Sequence, residues 1–382
     1  MARSLAQVQV DRDRARLGTD ATLLRRKWRR MAASPFAFLR GASPLFGEAL
    51  RRAPGLLRGY PGEGPLVGDL HLENFGTFLG ARGFTFHVND FDETFVGPFA
   101  FDVLRLLCST VLARPELGVT GVGALRLAGA VLEGHAAGLE GGRVPAPPSV
   151  QALVAAGDQR KEKAWVQAHL DARGKLALTE KTPPASPASR RLAVGAVATW
   201  AGATAAGAVR VLDVCRRVAG TGSLGVQRLL ALVAREDGGG QRLVELKEVR
   251  GTRYTRGHAS AVALVHTLQR VLPLPPVEVA AARLGPLPVV ARVLRAGEDK
   301  IAAEAFPREE LEALCRYLGF LLGTVHRRGS SRAVRWSPRL HARLVAGASQ
   351  LAGLHEQAFV EFCTLVQPTI PEAPSRRAAR TG

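Results

Sequence analysis

The stretch Gly68-Asp69-Leu70-His71-Leu72-Glu73-Asn74, followed by Asn89-Asp90-Phe91-Asp92, constrains this chain more than any other part of it. It sets acids, amides and one imidazole among apolar residues, an arrangement that a hydrated surface rarely needs. Asp69 and Asn74 lie in a glycine-led loop and can point to one side. An aspartate there can accept the proton of a hydroxyl, and an amide oxygen can ligate magnesium. Asp90 follows an apolar strand and can bridge a metal to phosphate oxygens; Asp92 can join it or orient its neighbours. Hard oxygen donors without cysteine favour magnesium over zinc. His71 is expected to hold the loop together through backbone bonds rather than to ligate a metal. The plain alternative is a structural loop whose acids are spaced by coincidence.

A chain of 382 residues, 47% hydrophobic, can bury a sizeable core and is expected to form two lobes. No run of 18 uninterrupted apolar residues occurs, so no spanning helix is expected. Residues 1–18 carry charges of both signs and no apolar signal core. The cysteines at 108, 215, 315 and 363 show no CxxC spacing and are expected to be reduced, buried thiols in a cytoplasmic protein. The net charge of +19 favours polyanionic partners in general: nucleic acid, phosphorylated ligands or acidic lipid. No aromatic platform, zinc spacing or helix-turn-helix signature joins that charge, so nucleic acid is the lesser expectation.

Read in order, residues 9–33 form a basic helix, either a polyphosphate clamp or a helix with one solvated basic face. Residues 34–41 hold two phenylalanines two apart, which predicts an extended piece with one buried face. Arg40 at its end can reach a phosphate bidentately or pair with a core carboxylate. Short strands are expected at 66–72 and 84–89, with turns at Gly76, Gly80 and Gly83. Helices are expected from Phe101 and over 117–138, 149–173 and 191–211, with a loop at 181–189. Asp102 and Arg105, three apart on one helix, can tie the Asp69 loop down from below.

The character changes near 214. Strands are expected at 214–218, 243–249 and 287–294, with a loosely alternating run at 227–235 and a helix over 258–272. An amphipathic helix spans 308–328, and further helices lie between 338 and 365. The boundaries that follow are 1–65 for the N-terminal helix and extended segment, and 66–212 for the catalytic loop and helical region. A small sheet lobe takes 213–300, closing helices take 301–371, and a basic tail takes 372–382. Gly220-x-Gly222-x-x-Gly225 sits between strands, so it is expected to act as a phosphate-covering flap rather than as a strand-to-helix dinucleotide fingerprint. Lys247, on a following strand, can pair with nucleotide phosphates.

The pieces Ser34-Pro-Phe-Ala-Phe-Leu-Arg-Gly41, Gly68-Asp-Leu-His-Leu-Glu-Asn-Phe-Gly76, Asn89-Asp-Phe-Asp-Glu-Thr-Phe-Val-Gly-Pro98 and Phe101-Asp-Val-Leu-Arg-Leu106 resemble the bacterial family called domain of unknown function 2252. Those motifs in turn resemble aminoglycoside phosphotransferases and other small-molecule kinases of the protein-kinase-like fold. The resemblance implies an α+β, two-lobed fold, with Asp69 as catalytic base and Asn74 and Asp90 as metal ligands. It also implies that Lys247 is the lysine on the ATP phosphates. In those kinases the glycine loop and lysine precede the catalytic loop; here they follow it. The helix ending Leu-Leu-Gly-Thr-Val-His-Arg-Arg-Gly329 resembles the one that leads into that loop. A circular permutation reconciles the order. Glu248, next to Lys247, would face the opposite way on a strand, so the glutamate that would pair with Lys247 is open between Glu278 and Glu304.

The expected function is therefore ATP- and magnesium-dependent phosphotransfer to a small hydroxyl- or amine-bearing acceptor. Asp69 and Asn74 would be catalytic; Gly220, Gly222, Gly225, Lys247 and Arg40 would bind the nucleotide. Asn74, Asp90 and Asp92 would bind the metal. The alternatives are a non-catalytic nucleotide-binding scaffold and a metal-dependent phosphoesterase. For the latter, His87, His135 and His169 lack the downstream spacing such hydrolases need.

Overall fold

The computed structural model describes residues 3–18, 20–219, 225–250 and 260–369. The chain opens with four helices: α1 (Leu5–Leu17), α2 (Ala21–Met31), α3 (Pro35–Gly41) and α4 (Ser43–Arg52). Ser4, Asp20 and Ser34 cap the first three by accepting from backbone N–H groups of Gln7, Leu23 and Ala37. The single basic helix expected over 9–33 is thus two, broken at Gly18. The pair is tied by a buried Asp13–Lys27 ion pair and by Trp28 Nε1 donating to Asp13 at 3.1 Å.

The extended piece expected at 34–41 is helix α3. Pro35 at its first turn and the Ser34 cap favour a helix start. The two phenylalanines are both buried because α3 is covered on several sides. Phe36 meets the His71 ring edge-on, and Phe38 packs on Phe359 and Phe362.

Next come β1 (Glu63–Leu66), β2 (Phe75–Gly80), β3 (Gly83–Val88) and β4 (Phe95–Pro98). β1 pairs antiparallel with β4, and β2 with β3. The strand expected over 66–72 ends at Leu66, because Gly68 turns the chain at φ +87°. Gly76 and Gly80, expected in turns, lie instead within β2. Gly76 bridges to Lys300, and a Cβ there would overlap the Asn89 side chain.

The helices α5 (Ala100–Leu112), α6 (Arg114–Leu117), α7 (Gly121–Glu140), α8 (Pro148–Gln159), α9 (Glu162–Gln167) and α10 (Pro187–Ala203) follow. The run expected as one helix over 149–173 breaks after Gln159, and the one expected at 191–211 is α10, shifted toward the N-terminus. The second half of the chain forms β5 (Val209–Arg216), β6 (Arg228–Arg235), β7 (Gln241–Glu248), α11 (Ala261–Val271), β8 (Val279–Leu284) and β9 (Leu287–Leu294). Its five strands are antiparallel in the order β5-β6-β7-β9-β8. β8 was not anticipated, and β5 starts earlier than Val214. α12 (Leu311–Gly329) and α13 (Pro338–Val366) complete the described chain; the second is one continuous helix.

The fold is α+β, with a helix-rich body and small antiparallel sheets. Period-2 alternation gives the five-stranded sheet two apolar faces. One packs Trp200 and Val197 of α10 on Leu229, Val244 and Ala291. The other sets Leu230, Leu232, Leu243 and Leu294 against Trp165 and Val166 of α9. In the body, α5 is almost wholly buried, and α7 and α12 cross closely through Gly134, Gly138, Gly319 and Gly323. A Cβ at any of these four would overlap backbone of the facing helix. The end of α12 lies beside β1: a Cβ on Gly64 would stand 3.0 Å from the Gly329 carbonyl oxygen. No described helix is long and apolar enough to cross a membrane.

Candidate functional site

The loop between β1 and β2 is held from beneath by α5, as the spacing of Asp102 and Arg105 predicts. Asp102 is fully buried and accepts from Val67 N at 2.7 Å and Gly68 N at 3.0 Å. Behind it, His326 Nε2 of α12 stands 3.4 Å from Asp102, and His135 of α7 meets His326 at 2.9 Å. Gly68 meets two demands at once. Its φ is positive, and a Cβ there would overlap the Glu93 carbonyl. His71 turns its ring back on the loop, where Nδ1 accepts from Glu73 N at 3.2 Å.

Asp69 leaves this loop toward Arg105, a fully buried guanidinium, and the two form an ion pair. Burial raises the Asp69 carboxyl above its usual range. Arg105 and a Ser43 hydrogen bond oppose that rise, and the charge of Asp90 adds to it. The result is a carboxylate more basic than an exposed aspartate, yet fixed in direction by Arg105.

Asn74 is buried, and its side-chain Oδ1 has no hydrogen-bond partner among the described residues. Its backbone carbonyl accepts from Asn89 N at 3.0 Å, which sets it beside the residue before Asp90. A buried amide oxygen left unpaired is costly unless something outside the chain uses it. Asn89 Oδ1 is similarly without a partner.

Asp90, Asp92, Arg40 and Lys247 line a single cleft of about 470 Å³ between the loop region and the five-stranded sheet. Lys247 Nζ pairs with Asp92 Oδ2, and Asp90 Oδ1 stands 3.7 Å from the same nitrogen. Burial lowers the Lys247 ammonium to about 8, with Arg292 and Lys300 pushing the same way and Asp90 opposing. Burial would raise the Asp90 carboxyl, but Lys247, Lys300 and Arg228 outweigh it and hold the group well below the carboxylate range. Arg40 pairs with Glu73 at 2.6 Å while facing the cleft, so it meets a carboxylate of the loop itself. Asp69 and Asn74 do not line the cleft, though the Asp69 carboxyl feels the charge of Asp90.

Glu278 and Glu304 were the candidates to pair with Lys247, with Glu248 expected to face away. Glu248 binds Arg250, and Glu278 binds Arg242 and Arg295. The partners of Lys247 are the aspartates of the opposite wall. Gly225 is described, with φ +84°, and flanks a second pocket with Arg216, Arg217, Arg228 and Arg250. Gly220 and Gly222 lie outside the described residues.

Sequence reasoning missed Glu245, Arg217, Arg228, Arg292 and Lys300. Glu245 shares the Lys247 face of β7 and is almost fully buried. It pairs with Arg217 at 2.5 Å, Arg292 at 3.3 Å and Arg228 at 3.6 Å. Burial would raise its carboxyl, but the three arginines hold it down to about 2. The available signal was Glu245 at i−2 from Lys247 on an alternating strand.

Among the described residues, no group of three or more His, Cys, Asp and Glu side chains could hold a metal ion. Oxygen donors without a hydrogen-bond partner, or held by Lys247, include the amide oxygen of Asn74 and the carboxylates of Asp90 and Asp92. Magnesium commonly takes one or two carboxylates and keeps several waters. A cleft with this charge pattern suits an anionic ligand such as a phosphate chain.

The chain matches the family described as "Uncharacterized protein conserved in bacteria (DUF2252)" over residues 19–146 and 149–365. No curated protein and no solved structure matches it.

Proposed function

We propose that this chain, which belongs to the uncharacterised bacterial family DUF2252, is an ATP- and magnesium-dependent phosphotransferase acting on a small hydroxyl or amine acceptor. One observation carries the proposal. Lys247 of the sheet and Asp90 and Asp92 of the loop region, far apart in sequence, meet across one cleft. Protein kinases use a glycine-rich turn over the phosphates, a lysine on the third strand, an aspartate base and Asn and Asp metal ligands. Here the glycine-rich connection joins the first and second strands of the five-stranded sheet, Lys247 is on the third, and α11 follows it. The end of α12 beside β1 supports a circularly permuted, two-lobed kinase-like arrangement. The helix that would run on into the catalytic loop abuts β1, the strand that leads into that loop, without being joined to it.

In this mechanism Asp69, held by Arg105, orients the acceptor and takes its proton. Lys247, with Lys300 and Arg228 close by, neutralises charge on the phosphate oxygens. Asn74 and Asp90 would hold the magnesium ion, which when bound balances charge on the β- and γ-phosphates.

The test is nucleotide titration with and without magnesium, followed by mass analysis of acceptor mixtures for a phosphorylated product. A wild-type protein that binds no nucleotide under either condition overturns the proposal. One observation favours a non-catalytic nucleotide-binding scaffold: Lys247 is engaged by Asp92, and the sequence of α11 offers no carboxylate to replace it. Tight nucleotide binding with no phosphorylated product from any acceptor would establish that second reading.

A further inference from the structure

A second pocket, of about 410 Å³, lies at the end of the five-stranded sheet where β5 stops, β6 starts and β7 stops. Arg216 and Arg217 reach it from β5, Arg228 from β6 and Arg250 from just past β7. Strand pairing gathers them: Arg217 N donates to the Arg228 carbonyl at 3.0 Å, and Arg228 stands opposite Lys247. Ser186 and Ser189, at the N-terminal turn of α10, line the same pocket. Arg216 N holds their segment on β5 by donating to the Pro183 carbonyl at 2.8 Å. Successive strand residues emerge on opposite faces. Val214 belongs to the α10 face and Cys215 to the other, so Arg216 turns toward α10 while Arg217 turns to Glu245. The pocket thus wraps the end of the sheet.

Among the described residues, four arginines line this pocket and no aspartate or glutamate does. Residues 220–224 and 251–259 hold no acid in their sequence, so neither stretch can bring it a carboxylate. The anions that meet its arginines are set outside it. Glu245 takes Arg217 and Arg228 while also serving Arg292, and Glu248 takes Nε of Arg250 at 2.7 Å. The exposed Arg216 guanidinium has no partner among the described residues. Guanidiniums crowded into one concavity repel each other, a cost that a bound anion offsets. Their planar forks suit phosphate oxygens, and the positive end of the α10 dipole adds to the attraction. A concavity of this volume matches a small molecule.

We propose that this pocket binds a small molecule carrying two or more phosphate groups, at a site separate from the nucleotide cleft. Arg217 and Arg228 line both cavities, but Lys247, Asp90 and Asp92 line only the cleft. Arg216, Arg250, Ser186 and Ser189 line only the pocket. Lacking carboxylates, the pocket binds its ligand without magnesium. The site goes beyond the phosphotransferase reading and does not depend on it.

The experiment is calorimetric titration of the full chain with inorganic tripolyphosphate, in excess magnesium and in chelator. Wild type is compared with Lys247→Ala, Arg216→Glu, Arg216→Lys and Arg250→Gln. In magnesium, wild type is expected to bind two equivalents, and Lys247→Ala should lose only the one in the cleft. Arg216→Glu should weaken the other by about tenfold or more, the scale of a lost charged hydrogen bond. Arg216→Lys should keep most of it, Arg250→Gln should weaken it several-fold, and chelator should leave it in place. A single equivalent that Lys247→Ala removes and Arg216→Glu leaves unchanged overturns the pocket while the cleft stands. A single equivalent that Arg216→Glu weakens and Lys247→Ala leaves supports the pocket and overturns the phosphate role of the cleft. Two equivalents that neither Arg216→Glu nor Arg250→Gln weakens overturn the pocket, and no binding at all overturns both sites. Should Arg216→Glu fail to fold, Arg250→Gln carries the test, and an unchanged second equivalent there overturns the pocket. A single-stranded oligonucleotide that binds through Arg216 when tripolyphosphate does not would make this a nucleic-acid surface and overturn the small-molecule proposal.

Discussion

Lys247 and Asp92 form an ion pair across the cleft, with Asp90 3.7 Å from the same ammonium. The lysine proposed to meet phosphate is thus held by the wall proposed to carry the metal. A phosphate entering without magnesium must displace Asp92; one entering with magnesium gives Asp92 an alternative partner. Asp92→Asn should therefore tighten nucleotide binding several-fold without magnesium and weaken it with magnesium. Paired titrations in chelator and in excess magnesium check the crossing of the two effects. Changes of the same sign in both would separate Asp92 from the metal.

Asp69 and Asp90 should separate binding from turnover. Asp90→Asn is expected to weaken magnesium-nucleotide binding by about tenfold or more, the scale of one lost charged interaction. Asp69→Asn should leave that binding within about twofold and lower turnover by about a hundredfold or more, as loss of a general base does. Titration and product formation on the same preparations measure both.

The pH profile follows from two groups. Asp69 must be ionised to take a proton, and burial raises its carboxyl, so the acidic limb of kcat/KM should lie above the ordinary aspartate range. Lys247 must be charged to meet phosphate, and its ammonium is lowered to about 8. Nucleotide capture should therefore be full below that point and decline as pH rises through it. Lys247→Arg, which keeps its charge far above this range, should remove the alkaline limb even where it lowers the maximum.

Glu245 should matter for stability. Its folded-state carboxyl is depressed to about 2, so its contribution is fully present above the ordinary glutamate range and is lost as pH falls toward 2. Glu245→Gln leaves Arg217, Arg228 and Arg292 without their shared anion. It should lower the unfolding free energy at neutral pH by about 3 kcal/mol, the scale of a broken buried pair. The deficit should shrink in acid. Urea unfolding at several pH values reads both.

Gly68→Ala should be more damaging than a loop substitution usually is. The new Cβ would meet the Glu93 carbonyl and also force an L residue to φ +87°. A loss of about 2 kcal/mol or more is expected, together with a shifted Asp69. Thermal unfolding checks the first. Turnover far below that of a similarly destabilised surface variant checks the second.

The sequence made the packing of the loop legible because its residues are local. Asp69, Asn74 and Asp90 fall within one short stretch, and the Asp102–Arg105 spacing showed what lies beneath it. The strand carrying Lys247 was legible from alternation. What could not be read was pairing at a distance. Glu245 looks like any strand glutamate until β6 and β9 set Arg228 and Arg292 against it. The partner of Lys247 was sought at Glu278 or Glu304, whereas it comes from Asp92 and Asp90 of the opposite wall. α3 was misread because two phenylalanines two apart mimic a strand when a short helix is buried on several sides. Trp165 carried no local signal, since one tryptophan in a charged helical stretch does not say what its ring will face.

The close approach of Gly329 to β1 has a consequence for biosynthesis. A ribosome that has just added residue 300 has made Asp69, Asp90, Trp165 and Lys247, yet neither α12 nor α13. Until those helices emerge, α5 lacks the cover of α13, and α7 lacks the glycine-lined face of α12 on which it packs. The nascent chain thus holds every group of the cleft while its body is still open. Translation must finish the last quarter of the message before those groups can be held in register, so a premature stop there should cost the whole protein rather than a terminal appendage.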